Sequence, residues 1–198
     1  QRTLGSSGNR RTFTWSGWVK RSSFAHQALF SSTTEVGSGN SHTYLLFNSS
    51  HQLVTQSYDY SGGGTNYNLI TTQVFRDPSA WYHIVYAVDT TQSTSSNRIK
   101  LYLNGEQITS FSTAAYPSQN YEGLINNSSY KMLMGNAFPS LSNNSPFDGY
   151  LAEATFIDGL QLTPASFAET NSETGQWVPI DTSGLTFGTN GFRLKFAD

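Results

Sequence analysis

The side chains that could do chemistry are few and scattered. Glycoside hydrolysis needs two carboxylates facing one cleft, about 5 to 5.5 Å apart for retention or about 6.5 to 9.5 Å for inversion. On a regular strand that calls for Asp or Glu at i and i+2, or at i and i+4. Asp148 and Glu153 are five residues apart, and so are Glu153 and Asp158. Each pair therefore falls on opposite faces unless a bulge intervenes. No Gly-x-Ser-x-Gly elbow is present. The four histidines, His26, His42, His51 and His83, have no His-x-x-x-His spacing, so a zinc site is not indicated. With no cysteine, neither a thiolate metal site nor a disulfide framework can form. His83 lies in the most apolar segment and reads as a buried, hydrogen-bonded structural histidine.

Binding chemistry has more to work with. Tyrosine is abundant at 11 residues, and Tyr44, Tyr58, Tyr60, Tyr67, Tyr116 and Tyr121 lie in or beside polar segments. Ligand pockets combine aromatic walls with a few placed polar groups. The stretch Tyr58-Asp59-Tyr60 before Ser61-Gly62-Gly63-Gly64 fits that description best. The ligand-binding candidates are accordingly Tyr44, Tyr58, Asp59, Tyr60, Tyr67 and Tyr121. Tyr also serves strands and subunit contacts, while Trp15, Trp81 and Trp177 read as core. Calcium takes six to eight oxygens from carboxylates and carbonyls. Asp89, Asp148 and Asp158, at strand ends, are the candidate ligands, although an Asp there also caps turns.

The elements that must position these groups are strands. Phe13, Trp15, Gly17 and Val19 alternate with Thr14, Ser16 and Trp18, the two-residue period of a strand. Tyr44 to Phe47 and Gln52 to Gln56 form a hairpin through Asn48-Ser49-Ser50. Tyr82 to Val88 is apolar on both faces and reads as a central strand. Arg98 to Leu103 turns at Asn104-Gly105, a favoured tight-turn pair, and Gln107 to Phe111 returns. Lys131 to Met134, Tyr150 to Ile157 and Phe192 to Phe196 complete the set. Thr163-Pro164-Ala165-Ser166-Phe167 predicts one short helix with Thr at the N-cap and Pro at the first position, plugging one end of the fold. The longest loops are expected at 37–41, 59–68, 90–97 and 137–146. Many short strands with turn signals every 8 to 12 residues predict an all-β, two-sheet antiparallel β-sandwich or a barrel.

Composition narrows the function classes. At 198 residues the chain fits one domain able to bury a core without staples. Its net charge of -2, with 12% charged residues and no basic block, gives nucleic-acid binding no electrostatic support. No apolar run approaches the roughly 20 residues of a membrane helix. The chain opens at Gln1 without an initiator Met or a signal peptide, as a fragment or processed product would. N-x-Ser sequons begin at Asn48, Asn126, Asn127 and Asn143; on a secreted eukaryotic protein they would be surface glycan sites.

The ordered motifs are more specific. Phe13-Thr14-Trp15-Ser16-Gly17-Trp18-Val19-Lys20 resembles the opening strand of concanavalin A-like, laminin G-like jelly rolls. Ala80-Trp81-Tyr82-His83-Ile84-Val85 resembles their W-x-H-I strand, and Ile99 to Gly105 the following hairpin. Phe147 to Glu153 with Phe156-Ile157-Asp158-Gly159 and Leu162-Thr163 resembles the closing element. The resemblance covers Thr12 to Phe167. The segments 71–83, 167–179 and 191–198 are further similar to jelly-roll modules in structural proteins of tailed, especially marine, bacteriophages. The resemblance implies a single domain over 1–198 acting as a virion-associated binding module, in a fibre or as capsid decoration. Its partners would be a host-surface glycan or receptor and sibling virion subunits in an oligomer. A purely structural subunit-contact module and a carbohydrate-active enzyme are the alternatives. Sandwich hydrolases of this fold carry a compact Glu-x-Asp-x-(x)-Glu run, and no such run occurs here. The expectation is thus a binding module without catalysis and with no cofactor beyond calcium.

Overall fold

The computed structural model describes residues 1–33, 41–60, 62–137 and 145–196. The loop expectations over 37–40 and 138–144 lie outside the described residues, as do Ser61, the Asn143 sequon and the last two residues.

Two six-stranded antiparallel sheets form a sandwich. The first, sheet I, runs β14 (Phe192–Leu194), β11 (Gly149–Asp158), β1 (Thr12–Arg21), β6 (Tyr82–Asp89), β7 (Ile99–Leu103) and β8 (Glu106–Ile108). The second, sheet II, runs β10 (Lys131–Met134), β2 (Gln27–Thr33), β3 (His42–Phe47), β4 (Gln52–Asp59), β5 (Gly64–Val74) and β9 (Phe111–Ala115). A short hairpin, β12 (Ala168–Thr170) with β13 (Trp177–Pro179), stands apart. This is the expected sandwich, and β6 is central, paired with β1 and β7.

Alternation decides the faces. Phe13, Trp15 and Val19 of β1 are buried with Ile84, Tyr86 and Val88 of β6 against Phe30, Leu45, Phe47, Leu53 and Leu69 of sheet II. Trp15 stacks on Phe30 across the sandwich, 6.1 Å between ring centres. The Asn104-Gly105 turn has φ of 47° and 94° at its two residues, the left-handed pair that a tight hairpin matching the strand twist requires.

Several details differ from the sequence expectations, among them strands β2, β12 and β13, which lie outside the expected strand set. The segment after Asn104-Gly105 does not return as one strand: β8 stays in sheet I and β9 crosses to sheet II. Much of the expected 59–68 loop is strand β5, paired with β4 from Asp59↔Gly64 to Gln52↔Val74. The expected helix is a single 3-10 turn, Pro164–Ser166, and Thr163 makes no side-chain cap bond. That turn does not plug an end. It leads into Phe167, which packs on Val85, Ala87, Tyr102 and Ile157, the outward residues of sheet I. Leu162, Leu185 and Phe187 extend this cover.

Candidate functional site

The cover over the outer face of sheet I is incomplete, and a cleft of about 590 Å³ opens beside it. Its floor follows from the strand register. Trp18 of β1 points outward because Val19 and Phe13 point in. Trp18 lies opposite Ala152 of β11 and His83 of β6, and Asn104 follows at the end of β7. One wall is the β12–β13 hairpin, which supplies Trp177 and Pro179 with Gln176 beside them. Trp81, just before β6, closes the other side and is 39% exposed. The cleft therefore holds three indoles, Trp18, Trp81 and Trp177, with Asn104, Gln176 and Glu153.

His83 is fully buried beneath them, as its position in an apolar strand led one to expect. Its ring stacks on Trp18 at 5.0 Å. Trp177 Nε1–H donates to His83 Nδ1 at 3.0 Å. An indole N–H can only donate, so Nδ1 is the acceptor and the ring proton sits on Nε2, 2.9 Å from Ser16 Oγ. Burial pushes the imidazole pKa down to about 4, so the ring is neutral at neutral pH. His83 thus fixes two of the three indoles. Trp177 also lies over Gly105, where a Cβ would come within 3.2 Å of the indole.

Glu153 reaches the cleft through a bulge. Ser16 pairs with Thr155 but Trp18 pairs with Ala152, so two residues of β11 oppose Gly17 alone. Glu153 takes the left-handed conformation there, φ 49°. A bulge re-aims a side chain in this way, and it removes the parity that would have separated Glu153 from its neighbours. Arg193 of β14 locks the carboxylate: Nε and Nη2 both donate to Oε2 at 2.8 Å. Arg193 Nη1 donates to Asp181 Oδ1 at 2.7 Å. Hydrogen bonds from the Ser183 hydroxyl and from Arg193 hold Asp181 at about 2. Asn104 Oδ1 accepts the His83 backbone N–H at 2.8 Å, which leaves its Nδ2 as a donor. Placed donors and acceptors beside ring faces suit a polyhydroxylated ligand. Glu153 is the one carboxylate among the lining residues.

The sequence-chosen tyrosines are not gathered here. Tyr44, Tyr58 and Tyr67 lie on strands of sheet II, Tyr60 follows β4, and Tyr121 lies between β9 and β10. Tyr67 is a correction: it is buried in the core, its hydroxyl 2.7 Å from that of Tyr86, because β5 carries it inward with Leu69. Tyr121 packs edge-on to Tyr67 at 6.1 Å and its hydroxyl pairs with Ser57 at 2.9 Å, so it braces the core. Tyr44 and Tyr58 sandwich His42 on the outer face, at 5.0 and 5.5 Å. Tyr44 also donates to Gln56 at 2.6 Å. Asp59 accepts from Ser41 Oγ at 2.9 Å. Tyr60, 58% exposed, stands at the β4–β5 turn. Trp81 and Trp177, expected in the core, line the cleft instead. Only Trp15 is core.

Nor do the three candidate calcium ligands meet. Asp148 precedes β11 and Asp158 ends it, about 30 Å apart at strand rise. Asp158 Oδ1 accepts from Asn9 N–H at 2.8 Å and Asn126 Nδ2 at 2.6 Å, and Oδ2 from Asn190 N–H at 3.0 Å. It ties both terminal segments to the body. Asn126, buried in this network, is no surface sequon. Asp89 caps its own turn through Thr91 N–H at 3.0 Å. Among the described residues no cluster of three or more His, Asp or Glu is suited to a metal.

Three solved structures show how widely the fold is shared. The CBM40 of the Ruminococcus gnavus IT-sialidase, bound to α2,6 sialyllactose, superposes with a TM-score of 0.53 at 16% identity, covering 75% of this chain and 84% of that one. The heptameric SAP-like pentraxin of Limulus polyphemus gives 0.51 at 14%, over 81% and 70% of the two chains. Domains LG4-5 of the mouse laminin α1 chain give 0.52 at 14%, over 80% of this chain but only 40% of that one. At such identities the likeness is one of fold. No curated protein matches the sequence. A family model matches residues 3–168, most of the chain and every strand that builds the two sheets apart from β14. The chain belongs to the concanavalin A-like lectin/glucanase superfamily.

Proposed function

We propose that the domain is a glycan-binding module whose ligand lies in the Trp18–Trp81–Trp177 cleft, and that it does no catalysis there. The carrying observation is the cleft itself: indole faces pre-positioned by His83, beside a carboxylate immobilised by Arg193. Pre-organised groups lose little entropy on binding. The ring faces would take the apolar face of a sugar, and Glu153, Asn104 and Gln176 its hydroxyls. The non-catalytic reading is supported by the single carboxylate in the cleft, where hydrolysis needs two. The lectin-like fold and the sialyllactose-bound relative are consistent with glycan binding.

The test is a glycan array probed with the wild-type domain and with Trp177→Ala and Trp81→Ala, each confirmed folded by circular dichroism. Wild type binds a defined glycan class and both variants lose about tenfold or more, the scale of one large aromatic contact. A blank array, or full binding by both variants, rejects the proposal. We extend the proposal to a virion-borne module on the similarity of segments 71–83, 167–179 and 191–198 to phage structural proteins. Blocking of particle adsorption by the isolated domain supports that extension, and unaltered adsorption at saturating domain counts against it.

A further inference from the structure

We infer that the cleft is one end of a longer binding track, with a second aromatic subsite formed by Trp81 and Tyr150, so that the ligand is an oligosaccharide chain bound along its length rather than a single terminal sugar. The inference rests on the glycan reading of the cleft.

Tyr150 is the most exposed large apolar side chain among the described residues, at 62%, and Trp81 is 39% exposed. Their ring centres are 6.5 Å apart, inclined at 57°. Neither ring is needed by the core. Tyr150 lies opposite Lys20 on the outer face of sheet I. Trp81 is one residue beyond Tyr82, which pairs with Val19, and so flanks Lys20 from the other side. This row is two residues along the strands from the Ala152–Trp18–His83 row of the cleft, a step of about 7 Å. Trp81 lines the cleft and also contacts Tyr150, so the two rows share a ring and form one surface.

That surface has a direction. It runs along β1 and β11 from Trp177 through Trp18 and Trp81 to Tyr150. Lys20 stands within the second row and Glu153 beside the first, so each carries one charged hydrogen-bonding group next to a ring. A single sugar occupies one such set. A chain occupies both, which accounts for a costly exposed aromatic outside the cleft, Tyr150, set against Trp81 at its edge.

The test uses isothermal titration calorimetry with homo-oligomers of glucose, mannose, galactose and N-acetylglucosamine, one to six units long. The ladder that binds wild type tightens by about tenfold from one to three or four units, the size of one aromatic contact. Tyr150→Ala abolishes that gain and leaves monosaccharide affinity within about twofold. Equal affinity at every length, or a length dependence untouched by Tyr150→Ala, overturns the second subsite while leaving the cleft a glycan site. No binding of any ladder at millimolar concentration instead removes the glycan reading on which the inference rests. Tyr150 is on the surface, so the variant keeps the fold.

Discussion

Acidification should loosen this domain through His83, and the amount follows from the geometry. The folded imidazole, fully buried, is held neutral with a pKa of about 4, whereas the unfolded one titrates near its ordinary value of 6.5. The folded pKa is the lower one, so the unfolded chain binds the extra proton as pH falls through 6.5. The stabilising contribution is therefore complete above 6.5, declines between 6.5 and 4, and is gone below 4. At 1.36 kcal/mol per unit, the loss is about 2 kcal/mol at pH 5 and about 3 kcal/mol at pH 4, relative to pH 8. There is a local consequence as well. A protonated Nδ1 can no longer accept from Trp177 Nε1–H, so the cleft wall loses its anchor as the proton arrives. The assay is urea denaturation at pH 4, 5, 6, 7 and 8, for wild type and for His83→Gln, which keeps one donor and one acceptor but does not titrate. The difference between the two curves isolates His83 from His26, whose pKa is also lowered by burial, and from the carboxylates. Curves that stay parallel from pH 8 to pH 4 would refute the reasoning.

Two other substitutions probe the frame around the site. Gly105→Ala places a methyl against the Trp177 indole at a position with φ 94°, so it should cost about 1 kcal/mol and weaken glycan binding more than it weakens the fold; calorimetric affinity and urea midpoints, measured together, check the split. Arg21 is buried with no carboxylate partner among the described residues, donating to Gln27 Oε1 at 2.9 Å, Phe75 O at 2.9 Å and Ala25 O at 3.0 Å, with its guanidinium 4.5 Å from the Phe47 ring centre. Arg21→Met should lose about 3 kcal/mol, because it leaves the buried acceptors Gln27 Oε1 and Phe75 O unpaired, and an unchanged denaturation midpoint would contradict that role.

The local chemistry of the chain was enough for much of the fold. Alternation at 13–19 told which side of β1 is core, and it correctly set Trp15 apart from Trp18. The doubly apolar run at 82–88 identified a central strand and a buried His83. Asn104-Gly105 announced a tight turn, since few pairs tolerate two left-handed residues in succession. Strand β5 escaped because Gly62-Gly63-Gly64-Thr65-Asn66 has little intrinsic strand preference, and pairing with β4 overrides that weakness. That same pairing turned Tyr67 inward, which no composition argument about tyrosine could foresee.

The site was decided by tertiary structure. Trp18, Trp81, Asn104, Glu153 and Trp177 are distant in sequence and meet because β1 lies between β6 and β11 while the β12–β13 hairpin folds over sheet I. Glu153 enters only through a bulge, an irregularity that a two-residue period cannot encode. An indole also reads the same in a core as in a cleft. Whether Trp81 and Trp177 are covered depends on how far the segment around Phe167 extends over the outer face of the sheet, and that is a property of packing between remote segments rather than of any residue's type.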